Sequence, residues 1–188
     1  MATLPTAVVT NNATGVVLNG TYAGNGAGVT EVNATAVDGL NGANFWQLGG
    51  NNVAASQFLG NTNNQPVELW VNNKRALRLE SSGGGEGEGA PNVIGGSPVN
   101  FVTAGAVGAT ISGGGAILFH PTKSSYTNSV TDNFGTVGGG VGNSASYMAT
   151  VGGGADNIAS GTYATVPGGG DNTASGQFSF AAGRVRKR

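Results

Sequence analysis

Few residues in this 188-residue chain could do chemistry, and their spacing restricts what that chemistry could be. His120 is the only histidine and there is no cysteine. One chain therefore cannot assemble a Ser-His-Asp triad, a Cys-His pair or a multi-histidine metal site. Three copies of His120 ringed about an axis could hold a metal, but the plainer reading is a solvated loop residue. Asp132, Asp156 and Asp171 each precede an asparagine. The calcium-binding β-roll motif Gly-Gly-x-Gly-x-Asp has a period of about nine residues. Neither that spacing nor Gly152-Gly153-Gly154-Ala155-Asp156 fits it, so these carboxylates read as turn caps. Gly24-Asn25-Gly26-Ala27-Gly28-Val29 has valine where the dinucleotide fingerprint needs its last glycine, and no Gly-Lys-Ser/Thr phosphate loop occurs. Arg184, Arg186, Lys187 and Arg188 form the one basic cluster. No aromatic or groove-reading element accompanies them, so a solvated end is expected rather than a nucleic-acid site. The Asn-x-Thr sequons at Asn12, Asn19 and Asn33 read as polar turns. No catalytic, cofactor-binding or metal residue is therefore nominated, and the expectation is a protein that is not an enzyme and carries no cofactor.

Composition points away from an ordinary globular domain. Glycine accounts for 36 residues, and only 9% of residues are charged against about 25% in typical domains. Disordered chains combine low hydrophobicity with high net charge. Here the net charge is −1, and valine and threonine recur on a fixed period, so an ordered repetitive β structure is expected. Without cysteine there are no disulfides, which leaves the redox compartment open. Met1-Ala2-Thr3-Leu4-Pro5 lacks the basic and apolar regions of a secretory signal. No run of about 18 apolar residues exists to span a membrane.

Near the C-terminus one phrase recurs: Gly135-Thr136-Val137-Gly138-Gly139-Gly140, Ala149-Thr150-Val151-Gly152-Gly153-Gly154 and Ala164-Thr165-Val166-Pro167-Gly168-Gly169-Gly170. Val137, Val151 and Val166 are separated by 14 and 15 residues, and Ala181 follows after another 15. A second phrase lies between them, Asn143-Ser144-Ala145-Ser146, Asn157-Ile158-Ala159-Ser160-Gly161 and Asn172-Thr173-Ala174-Ser175-Gly176. Helical solenoids need about 33 to 47 residues per unit. Two short strands and two tight turns use 14 or 15 and return the chain above its start. Glycine and asparagine, which tolerate positive φ, then mark the corners. Alternation before each mark predicts one face of small residues with valine. The other face would carry a ladder of Phe134, Met148, Tyr163 and Phe178. A coil interior about 10 Å thick takes only small side chains, so the ladder is expected to pack on another chain.

Upstream, residues 1–30 read as short extended pieces ended by Asn-Gly and glycine-rich turns. In residues 31–42, apolar positions 32, 36, 37 and 40 fit a helical turn, which Gly39 weakens; this stretch is read as a trimeric neck. Residues 67–71 and 75–79 form a hairpin. A three-residue loop, Asn72 to Lys74, pairs Val71 with Arg75, Leu69 with Leu77, Val67 with Leu79 and Glu68 with Arg78, keeping the faces distinct. Gly83-Gly84-Gly85-Glu86-Gly87-Glu88-Gly89 reads as a flexible linker. With Ile94, Ile111, Val137, Val151, Val166 and Ala181 as equivalent marks, the steps are 17, 26, 14, 15 and 15. The step of 26 predicts a protruding loop at residues 116–126, a place where specificity can reside; its apolar start could equally tuck against a neighbouring chain. The expected organisation is an N-terminal extended and neck region at 1–50, a hairpin module at 51–82, a linker at 83–93 and a repeat shaft at 94–188.

The Ala-Thr-Val-Gly-Gly-Gly and Asn-x-Ala-Ser-Gly phrases resemble the head repeats of trimeric autotransporter adhesins. They also resemble related repeats in phage and contractile-injection tail fibres. Residues 60–69, 75–80, 91–96 and 108–115 are similar to bacterial tail-fibre-like proteins, many of which continue into a self-cleaving intramolecular chaperone. The resemblance covers roughly residues 43–183. It implies an all-β, elongated homotrimer of parallel left-handed β-roll or β-helix coils, preceded by the hairpin-containing region. It also implies a structural fibre segment of a phage or injection-system tail, in a virion or extracellular appendage. The partners it implies are a host-surface glycan or receptor at the distal end and a baseplate or tail component. A cell-surface adhesin head or stalk is one alternative, which the missing signal argues against. The other is a carrier region for a chaperone or depolymerase, whose catalytic groups would lie outside this chain.

Overall fold

The computed structural model describes residues 36–37, 40–41, 49–50, 52, 54–81, 89–118 and 126–184. The chain divides into two compact units, Met1–Gln57 and Phe58–Arg188. All regular structure among the described residues is β.

In the first unit, β1 (Ala36–Val37) pairs antiparallel with β2 (Leu40–Asn41), Val37 opposite Leu40. This corrects the helical spacing read over residues 31–42. The intervening Asp38-Gly39 dipeptide has the composition of a two-residue hairpin connection, and it outweighs four apolar positions that fit a helix only loosely.

In the second unit, β3 (Val67–Val71) and β4 (Lys74–Glu80) form the hairpin. Val67 lies opposite Leu79, Glu68 opposite Arg78 and Leu69 opposite Leu77, as the matching of faces requires. Nearer the tip Trp70 pairs with Arg75 and Val71 with Lys74, after a bulge between Leu69 and Trp70. The connection is thus two residues rather than three. Asn72 and Asn73 both adopt left-handed backbone, φ 48° and 55°, as in the type I′ turn whose twist suits antiparallel strands. Ala76, the residue left over, is accommodated by the bulge.

β5 (Asn92–Gly95) continues the sheet antiparallel to β4, with Arg78 opposite Ile94 and Leu79 opposite Val93. From β5 the chain winds as a parallel solenoid. One wall stacks β7 (Thr110–Ile111), β9 (Thr136–Val137), β11 (Thr150–Val151) and β13 (Thr165–Val166) on β5, completing a seven-stranded sheet. The facing wall is five-stranded: β6 (Phe101–Val102), β8 (Ser129–Val130), β10 (Ser144–Ala145), β12 (Ile158–Ala159) and β15 (Thr173–Ala174). A third pair, β14 (Gly169–Gly170) with β16 (Gly183–Arg184), is also parallel. Ile94, Ile111, Val137, Val151 and Val166 lie side by side in that order. A bridge from Thr165 to Phe180 brings Ala181 into the same column. The sequence marks therefore align, including across the long step.

Each wall strand has one residue in and one out. Ile94, Ile111, Val137, Val151 and Val166 point inward, facing Val130, Ala145, Ala159 and Ala174; all are at most 2% exposed. Ala109, Ala149 and Ala164 fill the corner beside them. Gly135 takes the same place below Ala149, where a Cβ would sit 2.6 Å from Val130 Cγ1 and 2.7 Å from the Ser146 carbonyl. The interior therefore admits only small side chains, and the chain bends back at glycines held at positive φ, such as Gly140 at 77° and Gly154 at 92°.

Candidate functional site

The feature that an isolated coil does not explain is the column of large side chains at one corner. Phe134, Met148, Tyr163 and Phe178 end the turn between the two walls at successive levels, with φ of 59°, 52°, 59° and 58°. They were expected on the second face of the wall strand. The wall strands are only two residues long, so strict alternation does not reach three residues back; the side chains leave the coil from the left-handed corner and not from the face of the strand. Each backbone N–H donates to the carbonyl of the preceding level: Phe134 to Val107 (2.8 Å), Met148 to Asn133 (2.9 Å), Tyr163 to Tyr147 (3.3 Å) and Phe178 to Thr162 (2.9 Å).

Left-handed backbone costs a residue with a Cβ about 1–2 kcal/mol, and bulky residues are found there rarely. Here four occur in succession. Gly108, at φ 67°, holds the equivalent place one level earlier, where a Cβ would collide with the Phe134 ring. The Tyr163 and Phe178 rings stack at 5.1 Å, and Tyr147 meets Tyr163 edge-on at 6.4 Å. Stacking covers the column only in part: Phe134 is 38% exposed, Tyr163 44% and Phe178 69%. Strained backbone maintained to present apolar surface is the pattern of a contact site.

A second periodic feature lies inside the coil. Asn100, Asn128, Asn143, Asn157 and Asn172 are buried one above another. The side-chain oxygens of Asn100, Asn128, Asn143 and Asn157 each accept the backbone N–H of the next asparagine, at 3.0 Å from Asn128, Asn143 and Asn157 and 3.1 Å from Asn172. Each Nδ2 donates to glycine carbonyls on its own and the following level, as Asn143 does to Gly139 (2.8 Å) and Gly154 (2.9 Å). The sequence marked Gly142-Asn143, Asp156-Asn157 and Asp171-Asn172 as corners where asparagine tolerates positive φ; Gly142, Asp156 and Asp171 take the left-handed places, and the asparagines form an internal ladder that was not expected. Their recurrence before an inward alanine was the signal for it. Because their donors and acceptors are spent on the coil, they hold the solenoid together and offer no ligand site.

The hairpin carries the clearest electrostatics. Arg78 bonds Glu68 and Glu80, each at 2.6 Å, and Trp70 Nε1 donates to Glu68 at 3.0 Å. The Arg78 hydrogen bond holds the Glu68 carboxyl below its ordinary value. Burial alone would lower the Arg78 pKa, but the bonds to Glu68 and Glu80 leave it raised. Arg75 donates to the carbonyls of Pro98 (3.0 Å) and Asn100 (2.8 Å), tying the hairpin to the first coil.

Of the residues with chemical potential, His120, Arg186, Lys187, Arg188, Asn12, Asn19 and Asn33 lie outside the described residues, as does the glycine-rich stretch 82–88. Asp132 accepts the N–H of Asn133 at 2.8 Å. Asp156 and Asp171 occupy left-handed turn positions, φ 53° and 58°, in keeping with turn residues. At the long step, Ala116 and Tyr126 exchange backbone hydrogen bonds of 2.9 and 2.8 Å, so the chain leaves and rejoins the coil at one point. Residues 119–125 lie outside the described set, and exposed Ile117 and Leu118 form one side of the stem. Among the described residues, no three His, Cys, Asp or Glu side chains gather to hold a metal, and no helix is long and apolar enough to cross a membrane. Compared with protein-family models, curated proteins and solved structures, the chain matches none.

Proposed function

We propose that the chain is a structural, non-enzymatic fibre segment that works as a homotrimer of parallel left-handed coils, a tail-fibre shaft or adhesion fibre of a phage or contractile injection system. The observation that carries this reading is the column of Phe134, Met148, Tyr163 and Phe178 on strained corners, with Phe134, Tyr163 and Phe178 exposed and Met148 half-buried. A partner that covers such a column must present contacts at the same axial rise of about 4.8 Å per level, and a second copy of the same coil does. Its mechanism is mechanical: hydrogen bonds run along the axis, and neighbouring chains bury one another's corners.

Met148→Gly tests it, because two effects of opposite sign compete. Glycine relieves about 1–2 kcal/mol of backbone strain, whereas a fully covered methionine loses about 1.5–3 kcal/mol of burial. In an assembled fibre segment the substitution should lower the unfolding temperature and weaken association. An unfolding temperature that rises, with association unchanged, would mean that nothing covers the corner.

A further inference from the structure

The hairpin inverts the pattern expected of a sheet that ends a solenoid. Arg78 lies opposite Ile94, the first residue of the inward column, so the face carrying Glu68, Arg78 and Glu80 continues the interior. That face is charged, with Arg78 bonded to both Glu68 and Glu80. The apolar residues point outward: Leu69 is 52% exposed, Val71 67% and Leu79 40%, with Val67 and Leu77 half-buried among them. Val93 extends the same face onto β5, since it lies opposite Leu79. A hydrophobic face normally turns to the core. Here a contiguous aliphatic face is presented to the outside, which marks an interaction surface.

Resting on the trimeric reading above, we infer that this outward face, Val67, Leu69, Val71, Leu77 and Leu79, is where the hairpins of three copies of this chain meet around their common axis. The charge distribution selects that occupant. A rotation axis brings identical groups together, so a face bearing charges would set like against like. The outward face has none until Lys74 at its tip, because Glu68, Arg78 and Glu80 all lie on the other side. Identical aliphatic faces meet without that repulsion, and each chain supplies the cover that the others need. The corner column and the hairpin face are then two separate contacts of one assembly. The hairpin contact sits where the solenoid begins and sets the axial alignment of the copies.

The chain has no cysteine, so single cysteines introduced into the full chain report neighbours without interference. Leu69→Cys should cross-link copies under mild oxidation, and Trp70→Cys, on the opposite face, should not. Leu69→Thr with Leu79→Thr keeps strand-compatible residues and should shift dissociation to at least about 100-fold higher protein concentration, given the leucine surface left uncovered. Phe101→Thr, exposed on the facing wall, should leave it unchanged. A trimer that keeps its concentration dependence in the double variant, or that cross-links equally through both cysteines, overturns the hairpin contact and leaves the corner column standing. A wild-type chain that is a folded monomer overturns both.

Discussion

Asparagine at the centre of an apolar coil is tolerable only because every polar atom is used. Asn143 accepts from the N–H of Asn157 and donates to the Gly139 and Gly154 carbonyls, so its loss strips partners from the Asn157 N–H and the Gly139 carbonyl, while the Gly154 carbonyl keeps the Val141 N–H. A buried group left unpaired costs about 1–3 kcal/mol. Asn143→Ala should therefore lower unfolding stability by about 2 kcal/mol or more, measured by denaturant titration. A loss below about 1 kcal/mol would show that the ladder is ornamental. The sequence exposed the inward valines and alanines well, because Val137, Val151 and Val166 repeat in one alternating phrase. It misplaced Phe134, Met148, Tyr163 and Phe178, because alternation holds only within a strand. A left-handed residue at the turn redirects its side chain, and nothing in the residue type of a phenylalanine announces positive φ.

At the scale of elements, the hairpin shows why register is more legible than turn geometry. Pairing Val67 with Leu79 and Leu69 with Leu77 followed from keeping leucines on one face, and the strands pair that way. Loop length did not follow, since a bulge at Ala76 absorbs the residue that a longer loop would have held. What the sequence also left hidden is which face turns inward, because that depends on Arg78 falling opposite Ile94 across a connection of glycines. The Glu68 carboxyl gives the element a pH signature. Its folded pKa lies below the ordinary 4.5 because Arg78 bonds it. The stabilisation is therefore complete above the unfolded value and is lost as pH falls through the lower folded one. Trp70 fluorescence in a Trp46→Phe variant should report the release of the Glu68 carboxylate, with a midpoint under 4.5. A midpoint at or above 4.5 would mean that the ion pair does not hold in solution.

At the scale of the molecule, parallel stacking was readable from the recurrence of one phrase, and the coil stays in register across the step of 26 because Ala116 and Tyr126 close the excursion at its base. The interior is filled by one or two branched residues and at most two alanines per level, little apolar surface for so many ordered residues. Against that, Phe134, Tyr163 and Phe178 of the corner column and Leu69, Val71 and Leu79 of the outward hairpin face stay exposed in one chain. The proposed association of like chains would resolve the imbalance, and sedimentation equilibrium of the full chain at micromolar concentration tests this directly. The account predicts a single species of three times the 18.4 kDa chain mass; a folded monomer, or a stable dimer, would contradict it.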